Sequence, residues 1–187
     1  MNKGAIKRKE EVKRGAWQNS ILDREVVRRF QKLGDLGENL AEKLLEKAGF
    51  LHIQNLNMKN DNYKFADIYA ERNNQRYVIS VKTRNKYENN GRLNNRYKLG
   101  KDVFEFAKEV ENIYKAKAAW MTIAFEADKG TFDAFFGLLT SLDGNKGVLM
   151  TEDAIREYES LALKEKLEDF GYSKEEYNGL VNNYKAR

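Results

Sequence analysis

The 187-residue sequence predicts an α/β domain, a mixed central β-sheet flanked by helices, and three stretches carry that expectation. Two alternating apolar runs, Phe65-Ala-Asp-Ile-Tyr-Ala-Glu71 and Arg76-Tyr-Val-Ile-Ser-Val-Lys-Thr-Arg84, flank Asn73-Asn74. Asn tolerates the positive φ of a tight turn, so this segment reads as a two-residue β-hairpin. Residues 34–50 place Leu36, Leu40, Ala41, Leu44, Leu45 and Ala48 at helical spacing and stop at Gly49, a natural C-cap. Residues 118–125 are almost continuously apolar, as a strand buried on both faces should be.

The remaining elements follow in chain order. Residues 1–20 form a basic N-terminal tail without clear periodicity. Asn19-Ser20 can cap a first helix through Leu22, Val26, Phe30 and Leu33, with Asp23 completing a capping-box-like pattern. The helix over 34–50 comes next, then a strand over 51–57, a loop over 58–62 and the hairpin. Val103, Phe106, Ala107, Val110, Ile113 and Tyr114 recur at the spacing of a core-facing helix. The apolar strand over 118–125 leads to another over 131–139, whose Phe132, Phe135 and Phe136 read as core. Asp143-Gly144 marks a turn, and Thr151 opens a helix with Glu152 and Asp153 in its first turn. The domain spans 21–167 in the order α-α-β-β-β-α-β-β-α, and 168–187 form a short helical tail.

The hairpin carries the chemistry. With Asn73 and Asn74 as the loop, Arg72 faces Gln75 and each pair of positions sums to 147, which sets Asp67 opposite Ser80. Alternation then points Asp67, Ser80 and Lys82 to one face, and Ala66, Ile68, Ala70, Ile79 and Val81 to the core. An acid and a lysine within reach of each other suit work on a phosphate. The same residues also fit a diagonal ion pair on a solvated face, as Glu71 opposite Arg76 does. In the helix over 34–50, Gly37 lies near the middle of the apolar stripe and permits close approach to a sheet. Glu38 lies at the stripe's edge, where it can reach over the sheet end or simply complement the helix dipole.

A helix with Gly37-Glu38-x-x-Ala41, the Gly49-Phe50 turn, a strand, then Asp67-Ile68 and a strand ending in Lys82-Thr83-Arg84 resembles the PD-(D/E)XK nuclease superfamily. It is similar to small bacterial endonuclease-like proteins and archaeal Holliday-junction resolvases, specifically between residues 34 and 84. The resemblance implies a restriction-endonuclease-like fold over 21–167 and a metal-dependent endonuclease acting on DNA. It implies catalytic positions at Glu38, Asp67, Ser80 and Lys82. Mg²⁺, or Mn²⁺, would be held by Asp67, the Val81 carbonyl and Glu38. The family's second strand acid falls on Ser80, which supplies an oxygen but no charge. A nuclease fold kept as a DNA-binding or assembly module is therefore the alternative.

Composition narrows the field further. The chain has no cysteine and a single histidine, His52, which excludes disulfides, thiolate metal sites and His-rich zinc chemistry. No apolar run approaches a membrane span, and the expected location is the cytoplasm. The net charge of +5 is segregated: residues 72–101 hold nine Lys or Arg against the single acid Glu88. This cluster mixes Arg84, Lys86, Tyr87, Arg92, Arg96 and Tyr97 with asparagines, cations and stacking rings that suit nucleic acid. A solvated basic loop is the plainer reading of the same run. DNA is the expected partner, with a second copy of the chain as a further candidate.

Overall fold

The computed structural model describes residue 24 and residues 27–57, 63–88 and 90–181. It divides into two compact units, 1–32 and 33–187. The described residues of the first are helical and exposed.

Helix α1 covers 27–47 without interruption, so the break expected at Gly34 is absent. One glycine costs a helix only about 1 kcal/mol, and burial of Leu33 and Leu36 on either side outweighs that. Leu22 and Val26 lie outside the described residues, and Phe30, expected on an apolar stripe, is exposed. The helix ends as its sequence signals. Gly49 takes φ 81°, its N–H donates to Glu46 O at 3.0 Å, and Phe50 N–H donates to Leu45 O at 2.9 Å. Phe50 and Leu45 also share one core, completing a Schellman motif with its apolar contact.

Strands β1 (Leu51–Asn55), β2 (Ile68–Arg72), β3 (Gln75–Asn85), β5 (Lys117–Glu126), β6 (Thr131–Leu138) and β8 (Glu159–Lys166) form one sheet in the order β1-β2-β3-β5-β6-β8. Only β3 and β5 run parallel; the sheet is mixed, as expected. Between them lie β4 (Arg96–Lys98) and helix α2 (Val103–Tyr114). β4 pairs with β7 (Gly147–Leu149) in a small second sheet that the sequence pattern does not announce. A one-turn helix α3 (Glu152–Ile155) and helix α4 (Lys174–Val181) complete the described elements.

The sheet separates two cores. On one face α1 packs Leu36, Leu40, Leu44 and Leu45 against Ile68, Ile79, Val81, Met121 and Phe136. On the other, Val103, Ala107 and Val110 of α2 join Tyr69, Val78, Trp120 and Phe135. β5 is buried along nearly its whole length, which its unbroken apolar run anticipates. Ile113, expected to face the core, is 54% exposed. Thr151 caps α3, accepting the Ala154 N–H, but that helix stops after one turn and gives way to β8, an edge strand not foreseen. Of the tail expected over 168–187, Lys174–Val181 is helical as α4, and 182–187 lie outside the described residues.

Candidate functional site

The site is built where β1, the start of β2 and the middle of β3 meet the N-terminal half of α1. Asn73 and Asn74 both take positive φ, 52° and 59°, and close the hairpin as a two-residue turn. Pairing follows the expected register from Arg72↔Gln75 to Ile68↔Ile79. There it changes. The Asp67 N–H donates to the carbonyl of Ile79 at 2.9 Å, the residue already opposite Ile68. Two residues sharing one partner make a β-bulge, which reverses the alternation upstream. Ala66 accordingly lies in the α2-side core with Tyr69 and Val78, not on the face of Ile68, Ala70, Ile79 and Val81 as expected. Nor is Asp67 simply opposite Ser80 on an open face, because both faces are covered and Ser80 is only 1% exposed.

The bulge has a local cause. In the uninterrupted register Val81 would pair with the backbone of Ala66. Instead, Oδ2 of Asp67 accepts the Val81 N–H at 2.7 Å. The side chain has taken the place of a backbone acceptor and now sits in the strand plane. In an antiparallel pair a residue's N–H and C=O face the same neighbour, so the Val81 carbonyl faces the side on which Asp67 lies.

Gly37 brings Glu38 to the same place. A Cβ on Gly37 would lie 1.7 Å from Oγ1 of Thr83, so only glycine lets α1 come this close to β3. Glu38 then reaches the end of β1. Its Oε2 accepts from Asn55 Nδ2 at 3.2 Å and its Oε1 from Asn57 Nδ2 at 3.1 Å. The same Asn57 nitrogen lies 3.4 Å from Oδ1 of Asp67, and Asn55 Nδ2 also donates to Glu42 at 3.0 Å. Three carboxylates are thus linked by two amides. Asn55 and Asn57 were not singled out in the sequence. Asn55 ends β1 and Asn57 follows in a tight turn, its N–H donating to Asn55 Oδ1, an arrangement that strand alternation does not announce.

Electrostatics sets these acids apart. Burial raises the pKa of Asp67, against the opposing pull of the Lys82 charge, the Val81 N–H, Asn57 and Ser80. Burial also raises Glu38, and the charge of Asp67 adds to it, while Asn57 and Asn55 work the other way. Lys82 is half-buried and makes no ion pair within 4.0 Å among the described residues. Oxygen donors converging on one small hydrogen-bond donor are the chemistry that fits a hard divalent cation. Among the described residues no group of three or more His, Cys, Asp or Glu side chains forms a candidate metal cluster, so any such ion would rest on two carboxylates and neutral oxygens.

The expected nucleic-acid residues fare unequally. Arg84, Arg92 and Arg96 are exposed, as is the ring of Tyr87. Lys86 is engaged elsewhere, 2.8 Å from Asp133 and 3.9 Å from Glu126. Tyr97 is 1% exposed and packs in the α2-side core, so it has no ring face to offer a base. His52 sits exposed at the start of β1 with φ 51°. No described helix is long and apolar enough to cross a membrane.

No protein-family model matches the sequence, and no curated protein matches it. Comparison with solved structures finds Hjc, a Holliday junction resolvase from the archaeal hyperthermophile Archaeoglobus fulgidus. The match has a TM-score of 0.46 and 18% sequence identity, covering 65% of this chain and 89% of that one.

Proposed function

We propose that this protein is a metal-dependent nuclease of the PD-(D/E)XK type that hydrolyses DNA phosphodiester bonds. The observation that carries the reading is the convergence of Glu38 and Asp67 on a single donor nitrogen, beside Val81 and one residue from Lys82, which has no ion-pair partner among the described residues. Glu38, Asp67 and the Val81 carbonyl would hold Mg²⁺ or Mn²⁺, which supplies Lewis-acid polarisation of a phosphate oxygen when bound. Lys82 orients the attacking water and offsets the negative charge that grows on the phosphate. Ser80 lies beside Asp67 and works against the rise that burial gives its pKa. Arg84, Arg92 and Arg96 grip the phosphate backbone, with Tyr87 as a stacking surface. Cleavage of duplex, branched and single-stranded DNA and of RNA, with Mg²⁺ and with Mn²⁺, tests this. DNA cleavage that Lys82→Ala abolishes supports it; DNA cleavage that survives Lys82→Ala, or that needs no metal, overturns it.

Ser80 favours a second reading, a nuclease fold that binds DNA without cutting it. A charged acid at that position would have been a further metal ligand, and serine is not. Salt-sensitive DNA binding with no cleavage under any metal selects this reading over the first.

A further inference from the structure

Among the described residues Asn57 is the one side chain hydrogen-bonded to both acids of the site, and its two amide atoms are in unlike situations. Nδ2 lies between Glu38 and Asp67 at 3.1 and 3.4 Å. Oδ1 accepts no hydrogen bond from a described residue. Asn55 differs. Its Oδ1 accepts the Asn57 backbone N–H at 3.0 Å, so turning its amide over would break that bond and turn an oxygen toward Glu38 and Glu42. Among the described residues, both amide atoms of Asn55 are engaged, whereas Asn57 is held through Nδ2 alone. The terminal torsion of an asparagine is broad and roughly two-fold, and a half-turn exchanges a donor for an acceptor in nearly the same volume.

We infer that Asn57 is a reversible member of the metal site. With no cation bound, its N–H groups hold the two desolvated carboxylates together. When a divalent cation arrives, the amide turns over and its oxygen becomes a ligand. This rests on the metal-dependent reading above and extends it to a residue that reading leaves without a role. The physical drive is a change of sign at the centre of the site. Two facing acids without a cation are best served by a donor hydrogen, and a cation in that place repels the same hydrogen and attracts an oxygen. A neutral carbonyl oxygen is an ordinary ligand for hard cations. It also supplies a donor at a site where Ser80 brings no charge.

Mn²⁺ binding to the full chain tests the inference through two readouts, calorimetric affinity and the number of exchangeable waters on the bound ion by proton relaxation. Asn57→Ala should weaken Mn²⁺ binding roughly 10- to 100-fold and add one water to the ion at saturation. Asn57→Asp, which keeps the shape and an oxygen, should bind more tightly than the parent with the parent's water count. A residue that merely fastens β1 to β2 would leave the water count unchanged in Asn57→Ala. That result, in a folded variant, overturns the inference while leaving the metal reading intact. Should Asn57→Ala not fold, Asn57→Asp decides alone: tighter binding with an unchanged water count supports the ligand role, and an added water or unchanged affinity overturns it. A parent protein that binds no Mn²⁺, and is indistinguishable in this from Asp67→Ala, removes the metal reading and this inference with it.

Discussion

Two acidic clusters flank β3, and they meet the cost of burying carboxylates in opposite ways. Just past the strand's end, Asp133 is 7% exposed and has a cation of its own in Lys86 at 2.8 Å, plus the Lys164 backbone N–H at 2.8 Å. Burial alone would lower the Lys86 pKa, but hydrogen bonding and charge from Asp133 carry it upward. Midway along the strand, the described groups beside Glu38 and Asp67 are amides, one backbone N–H and Ser80, with Lys82 out of ion-pair range. Their carboxyls are pushed up rather than down. The first cluster has its counter-charge; the second is short of one positive charge, and that shortage is what singles it out as the candidate site.

The largest effect expected on this contrast comes from Lys86→Met. It strands Asp133 without its counter-charge, and breaking such a pair costs about 3 kcal/mol. Urea unfolding measures it; a loss below about 1 kcal/mol, the scale of an exposed pair, would show the two clusters to be alike.

Gly37→Ala ranks next. The added methyl meets Thr83 Oγ1, and overpacking of this kind costs about 1–3 kcal/mol. Because the strain pushes Glu38 away from Asn57, Mn²⁺ affinity should fall with it. A double-mutant cycle with Thr83→Ala should recover part of both losses, and additivity would break the link between the helix contact and the site.

Asp67→Asn should raise stability in metal-free buffer by about 1 kcal/mol at neutral pH, the usual gain from relaxing a functional site. The folded Asp67 carboxyl ionises at higher pH than the unfolded one. The folded state therefore loses stability as pH rises above about 4, where an ordinary aspartate titrates. The loss levels off above the folded pKa, and the asparagine variant lacks it. Its advantage should thus vanish in acid and grow toward neutrality. Melting curves across that range check the sign, and a flat difference would mean that Asp67 is not desolvated.

The smallest effect on stability belongs to Arg92→Ala, an exposed substitution expected to stay within about 0.5 kcal/mol. Its consequence should appear instead in DNA binding, as weaker affinity across sequences and a shallower salt dependence, read from titrations at several ionic strengths.

What could be read from the sequence was local. The Asn73-Asn74 turn fixes the register of five residue pairs through its own backbone geometry, and the Gly49 cap ends α1 within one turn. Gly37 was legible because a glycine inside an apolar stripe has few uses other than close approach. The bulge at Asp67 was not, since its cause is a hydrogen bond from Val81, fourteen positions away, to a side chain. Tyr97 was assigned from its basic neighbours, yet the alternation of so short a strand as β4 gives too few positions to say which face is buried. Strand β8 was hidden by its composition. Glu159-Ser-Leu-Ala-Leu-Lys-Glu-Lys166 favours a helix on propensity, and pairing with β6 overrides it.

That last strand has a further consequence, for self-association. β6 is eight residues long and carries Phe132, Phe135 and Phe136, and β8 occupies its open side. β8 in turn is a poor template: its pairing with β6 is irregular in two places, Lys164 takes φ 51°, and its last three residues are Lys164, Glu165 and Lys166. A chain cut after Ile155 would bare an aromatic-rich strand edge that any second copy could extend. β8, remote from Asp67, is therefore what should keep intact molecules from growing into sheets.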